Sequence, residues 1–389
     1  MAKFKFAALV SAICLMSVVF YGFVVSSQSP KPMVRMLSEP PISQILPFEA
    51  EATKPQSPVR FTLQAMDAAG QALENAKIRL EILTPPKNPW FSTDFPIVEG
   101  TELLNIEAIA PKGELQFQQM LPIRGEYKLL VDVAPMVAEA FPPFQQMLTL
   151  SVRENAVKYR NFGILAVILL VVGLGGGWVL GGQQQIQPGE IAPQRVRLLL
   201  SGAIIVAIAS LLLINITAEQ ADSHTSGHEH HSPKSEEPAI LQSQGVEARI
   251  LGDVEATVGQ PVKLSVQAID TQTGQPLTDA IVTIKATQTE NEWVTFAYQG
   301  VMDAKGQLTW EQQFFDGAPH NVTVDISPQP QAQRQFSPLR VAQDIEVKGV
   351  APPLFGRLIV LAYLTSIIVL GLVIGLQLRR RSVWRYENS

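Results

Sequence analysis

The chain has 389 residues, 47% of them hydrophobic and only 17% charged, with a formal net charge of -5 at pH 7. That balance gives no electrostatic basis for binding nucleic acid, and a single cysteine, Cys14, excludes any disulfide within the chain or a cysteine-built metal site. The apolar weight collects into four blocks, as insertion into a bilayer requires.

In the first block, Lys3 and Lys5 precede an uncharged stretch from Phe6 to Pro30, dense in Ala, Val, Leu and Phe as far as Val25. Residues 1–27 therefore read as a signal sequence or an uncleaved signal-anchor span, with Val25-Ser26-Ser27 as a tolerable cleavage site. Cys14 lacks the preceding Leu and small residue that a lipoprotein signal wants, so it is expected to be a membrane-buried bystander. Both forms of the signal export the next segment of the chain.

Segment 28–155 alternates with a period of two. Phe61, Leu63 and Ala65 face one side and Arg60, Thr62 and Gln64 the other; Ile78, Leu80 and Ile82 alternate with Lys77, Arg79 and Glu81. Half-buried strands look like this, and Asp67-Ala68-Ala69-Gly70 supplies a turn between them. The aromatic residues Trp90 and Phe91, like Trp293 and Trp310 further on, are expected in core or edge packing.

The second block runs from Phe162 to Gly182 and the third from Leu198 to Ala218, joined by a short link, 183–197, that carries Arg195 and Arg197. Each block has 21 residues without a formal charge, long enough to cross a hydrocarbon core of about 30 Å. The positive-inside rule places the link in the cytoplasm. Arg153, Lys158 and Arg160, just before the second block, fall on the outer side and oppose that orientation. Long segments translocate largely regardless of charge, so the orientation stands. No span has Asp, Glu, Lys, Arg or His in its interior, which argues against transport by this chain alone. Gly173, Gly177 and Gly181 are spaced four apart, as are Gly371 and Gly375 in the fourth block, and that spacing allows close helix approach within the chain or with a membrane-protein partner.

Segment 219–240 holds four of the five histidines. His224, His228, His230 and His231 lie beside Asp222 and Glu229 in a Ser- and Gly-containing stretch just after the third block. Neutral imidazoles with nearby carboxylates suit Ni(II), Cu(II), Zn(II) or Co(II), and a flexible loop lets them converge. The alternative is a solvated linker in which histidine is only a polar residue. His320 stands alone and is expected in a turn before the strand Val322 to Ile326.

Segment 241–350 alternates as the first does, with Leu264, Val266 and Ala268, then Ile284 between Thr283 and Lys285. The fourth block, Leu358 to Leu378, leads into a basic tail, 379–389, with Arg379, Arg380, Arg381 and Arg385, expected in the cytoplasm.

The two exported segments are copies of one another. Val59-Arg60-Phe61-Thr62-Leu63-Gln64-Ala65-Met66-Asp67 answers Val262-Lys263-Leu264-Ser265-Val266-Gln267-Ala268-Ile269-Asp270. Lys112-Gly113-Glu114-Leu115 answers Lys305-Gly306-Gln307-Leu308, and Val131-Asp132-Val133 answers Val324-Asp325-Ile326. An even number of spans per repeat keeps both copies on one side, so the repeat is parallel. Short strands, frequent turns and no amphipathic helix imply two all-β, immunoglobulin-like sandwiches on transmembrane α-helices.

Gly274 to Ala280, Lys305 to Leu308 and Val322 to Ile326, together with a C-terminal span, resemble the YtkA-like and FixH-like exported domains of bacteria. The resemblance implies a membrane-tethered domain linked with metal handling or metalloprotein assembly. With no Ser–His–Asp pattern and no phosphate-binding loop, an enzyme is not expected. The expectation is a multi-pass protein of the bacterial plasma membrane, in contact with lipid, that either captures a divalent metal or scaffolds another protein.

Overall fold

The computed structural model describes residues 31–49, 56–181, 196, 202, 239–243, 245–332 and 335–387. The first apolar block, and the third apart from Gly202, lie outside these residues. The described part is rich in strands, with two long apolar helices. In the first copy the strands are β1 (Met33–Glu39), β2 (Val59–Met66), β3 (Ala76–Leu83), β4 (Glu102–Ala110), β5 (Glu114–Gln119), β6 (Gly125–Pro135) and β7 (Phe144–Val152). Helix α1 (Ala156–Leu180) comes directly after β7. The second copy has β8 (Ala239–Ser243), β9 (Val246–Gly252), β10 (Glu255–Thr257), β11 (Pro261–Asp270), β12 (Ala280–Gln288), β13 (Trp293–Val301), β14 (Gln307–Gln313), β15 (His320–Pro328) and β16 (Leu339–Lys348), then helix α2 (Leu354–Glu387).

Alternation in the sequence becomes alternation of burial. In β3, Ala76, Ile78, Leu80 and Ile82 are buried while Lys77 and Arg79 are exposed. A pleat sends successive side chains to opposite faces, so such a strand holds its register by burying one face only. The repeated Lys-Gly-x-Leu turns bring both glycines to positive φ, +71° at Gly113 and +62° at Gly306.

Within the first copy β1 pairs with β2 and β2 with β5, while β4 pairs with β3, β3 with β6 and β6 with β7. The second copy repeats this: β8–β9–β11–β14 in one run, β13–β12–β15–β16 in the other, with β10 parallel beside β16. Pairing does not stop at the boundary between copies. Strand β4 pairs with β14, through Ile106 opposite Trp310, and β5 pairs with β13, through Phe117 opposite Tyr298.

This seam is reciprocal. The duplicated motifs make β14 the counterpart of β5, and chain order makes β13 the counterpart of β4, so each copy offers the same two edges to the other. That is the arrangement of a twofold dimer, here within one polypeptide. It removes four strand edges that would otherwise stay open to aggregation. Polar bonds cross it as well: Met120 N–H donates to the Thr295 carbonyl at 2.9 Å, and the Gln313 amide donates to Thr101 Oγ1 at 2.9 Å. The buried apolar residues of both copies form one continuous core, and at the seam Phe48 meets Trp293 and Phe315 with ring centroids 4.9 and 5.2 Å apart.

Both helices are long and apolar enough to cross a membrane, and only 11% of each one's most apolar stretch is buried, the reverse of a helix in a soluble core. They lie side by side and parallel, with Gly173 against Ile368 and Leu372 and Gly177 against Leu372 and Leu376. A Cβ on Gly173, Gly177, Gly371 or Gly375 would fall under 3.0 Å from a backbone carbonyl oxygen of the other helix. Only glycine permits this approach. Gly181 sits against the stem of Arg379, whose guanidinium lies 5.2 Å from the Trp178 ring centroid. The side chain of Asn155 caps α1 by accepting from the Val157 N–H at 3.0 Å.

Candidate functional site

The expected metal ligands His224, His228, His230, His231, Asp222 and Glu229 all lie outside the described residues. The segment that carries them leads into β8, which pairs along β9 at the end of one strand run, with the Ala239 N–H 3.3 Å from Gln343 Oε1. Among the described residues no group of three or more His, Cys, Asp or Glu side chains is placed to hold a metal ion.

His320 differs from its expected place in a turn. It opens β15, is 1% exposed, and its Nδ1 lies 2.8 Å from the Ala318 carbonyl oxygen, with the ring 4.6 Å from that of Phe314. Burial lowers its pKa to about 4, opposed in part by the bond to the Ala318 carbonyl, so it is neutral at physiological pH. The strand starts two residues earlier than the apolar pattern suggested because the imidazole itself packs as a core side chain.

Two hollows flank the starts of the helices. One, about 340 Å³, lies at the seam and is lined by Asp94, Phe95, Glu290, Phe315 and Asp316. Burial raises the pKa of Asp316 and the nearby Glu290 adds to this, while the Gln288 amide, donating at 2.7 Å, opposes it. Asp94 is already ion-paired with Lys158 of α1. The other hollow, about 890 Å³, is lined by Phe91, Glu99, Arg124, Glu154 and Tyr159. There Glu154 is held by Arg124, and by Lys158 at 3.8 Å; Glu99 is 5% exposed and accepts from the N–H and hydroxyl of Thr93 at 2.8 and 2.7 Å. These carboxylates come from segments far apart in sequence, so no local motif could have announced them. As arranged they neutralise cationic side chains and satisfy loop amides.

The aromatic expectation divides. Trp293 and Trp310 are buried, at 8% and 1% exposure, but Trp90 and Phe91 are 67% and 61% exposed. They stand at the tip of the loop between β3 and β4, residues 84–101, whose counterpart in the second copy is only the turn Thr289-Glu290-Asn291-Glu292. Propensity registers an aromatic residue as core material. It cannot register that an inserted loop carries the pair outward.

No family model matches the chain, and no curated protein matches it. Among solved structures, FetP of uropathogenic Escherichia coli strain F11 is 13% identical, over 29% of this chain and 97% of that one, with a TM-score of 0.22. The alpha-2-macroglobulin of Escherichia coli is 12% identical over 82% of this chain and 16% of that one, with a TM-score of 0.21. The Yersinia pseudotuberculosis adhesin InvE is 10% identical over 82% of this chain and 61% of that one, with a TM-score of 0.19. Likeness at these scores assigns neither a family nor a function.

Proposed function

We propose that the chain is a membrane-anchored accessory protein that captures a divalent transition metal outside the cytoplasm and assists metal handling or metalloprotein assembly. The carrying observation is the placement of His224, His228, His230 and His231 within eight residues, beside Asp222 and Glu229. Imidazole and carboxylate donors without sulfur suit Ni(II), Cu(II), Zn(II) or Co(II).

The parallel helices support the topology. Helices α1 and α2 leave the strand-rich body at the same end and run in the same direction, so the chain has to return between residues 181 and 239. The uncharged block 198–218 is long enough to make that return through a bilayer, and the histidines then come after it on the side of the strands. Lys158, one of the three cations that oppose this orientation, is paired with Asp94 and Glu154, which offsets its charge. Each copy is read as an immunoglobulin-like sandwich of the kind its short motifs resemble in the YtkA-like and FixH-like domains. Since Gly173, Gly177, Gly371 and Gly375 face one another within the chain, a membrane-protein partner would meet a different face. The role assigned is binding rather than catalysis.

Titration of the full chain in detergent with Ni(II), Cu(II) and Zn(II) tests the metal role, beside a variant with the four clustered histidines replaced by alanine. The expected outcome is binding well tighter than millimolar that the variant loses. Equal affinity in both proteins would remove the metal role and leave a scaffold whose strand-rich body binds another protein.

A further inference from the structure

The loop between β3 and β4 is built to present its tip. Its base is fixed: Val98 is buried, Thr84 Oγ1 donates to the Val98 carbonyl at 2.5 Å, and Thr93 is tied to the Glu99 carboxylate by both its N–H and its hydroxyl. Phe95 packs against Phe48 and Phe315, with centroids 5.8 and 5.6 Å apart. Pro85, Pro86 and Pro89 restrict the approach to the tip, and the Asn88 side chain accepts from the Trp90 and Phe91 amides at 2.9 and 3.3 Å. A loop this well tied could have turned two large aromatic side chains inward. Instead it holds both out.

The tip lies against the helices. The Tyr363 hydroxyl of α2 donates to the Trp90 carbonyl at 3.2 Å, and the Phe91 ring lies parallel to that of Tyr363, with centroids 6.2 Å apart and 6° between planes. Phe91 also shares its hollow with Tyr159 in the first turn of α1. Arg357 is the last charge before the apolar run of α2, and Tyr363 lies about 9 Å beyond it at 1.5 Å per residue. Helical side chains lean toward the N-terminus, so the hydroxyl sits above its own Cα, near the boundary between headgroups and acyl chains. Tyr and Trp favour that level because one end of each is apolar and the other polar.

We propose that Trp90 and Phe91 form an interfacial anchor, inserted into the bilayer leaflet from which α1 and α2 start. This rests on the reading of those helices as membrane spans. The occupant of the aromatic patch is lipid, since the patch continues the surface of α2 at the depth where its apolar run begins. The anchor is one-sided: the short, acidic turn at the same place in the second copy has no apolar residue to insert.

Spin-label depth measurements on the full chain test this. A Cys14→Ser background, reconstituted into phosphatidylcholine–phosphatidylglycerol vesicles, would carry single labels at Phe91→Cys, Trp90→Cys, Val167→Cys on the exposed face of α1, and Gln272→Cys in an exposed turn. Collision with oxygen, which partitions into lipid, should exceed collision with chromium oxalate several-fold at 90, 91 and 167, with the reverse at 272. Lipid-like behaviour at 167 but water-like behaviour at both 90 and 91 would overturn the anchor and leave the spans intact. Water-like behaviour at 167 would overturn the spans, and the anchor with them.

Discussion

Replacing Gly177 with alanine probes the contact on which the parallel helices depend. The new Cβ would stand about 1.4 Å inside the 3.4 Å at which ordinary contact with the Leu372 carbonyl oxygen begins, and backbone cannot swing aside as a side chain can. The helices must part, and a radial gap of about 0.5–1 Å already forfeits a quarter to a half of the dispersion attraction of each atom pair. We expect a loss of about 1–3 kcal/mol, the usual cost of overpacking. Gly175 is the control within the same helix, because a Cβ there meets nothing within 4 Å. Gly175→Ala should be neutral or slightly stabilising, since alanine is the better helix former. Adding Gly173→Ala to Gly177→Ala should cost less than Gly173→Ala alone, because the gap is already open and adjacent sites are not additive. Equilibrium unfolding of the full chain in mild detergent, monitored by tryptophan fluorescence, compares the variants. Equal stability of Gly177→Ala and Gly175→Ala would refute the glycine contact.

At the seam, Trp310→Ala removes a side chain 1% exposed and paired across the copies with Ile106; it should cost about 3–5 kcal/mol. In scanning calorimetry the shared core should unfold in one transition, and two separate transitions in the parent protein would contradict it. Gly113→Ala and Gly306→Ala should each cost about 1–2 kcal/mol for the left-handed backbone, plus the clash of a Cβ with the Leu73 or Ala268 carbonyl. Gly70→Ala and Gly274→Ala share the positive φ but meet open space, so thermal melts should show smaller losses. The folded pKa of His320, about 4, lies below its ordinary 6.5, so the unfolded chain binds more protons between those values. Its contribution is full above about pH 6.5, falls as the pH drops toward 4, and then levels off, amounting to up to about 3 kcal/mol. Asp316, raised by burial, contributes with the opposite sign in the carboxylate range. A His320→Leu variant isolates the histidine: denaturant midpoints measured between pH 7 and 4 should fall less steeply than in the parent, and an unchanged slope would contradict its burial as a neutral group.

Strand alternation was legible because burial of one face imposes a period of two on whatever sequence fills it; β2, β3 and β11 occupy the positions that Phe61, Ile78 and Leu264 marked out. That the Gly173 and Gly177 face admits a close neighbour was legible for a similar reason, since glycine at every fourth position leaves one helix face without side chains; that α2 fills it was not. His320 was misplaced because an imidazole looks polar in sequence and becomes a core group only when a backbone carbonyl satisfies it. Trp90 and Phe91 were misplaced because the direction of a loop tip depends on what its base packs against, here Phe48 and Phe315 from distant parts of the chain.

By itself the amino-acid sequence determined the duplication, the strand-rich class, the apolar blocks and the clustered histidines, because each is written in local spacing and composition. The tertiary structure alone decided that the copies pair reciprocally through β4, β5, β13 and β14, that Gly173 and Gly177 find their partner inside the same chain, and that one loop turns its aromatic residues toward the helices. These are contacts between residues remote in sequence. Their energies depend on edges and surfaces that exist only once both copies have folded.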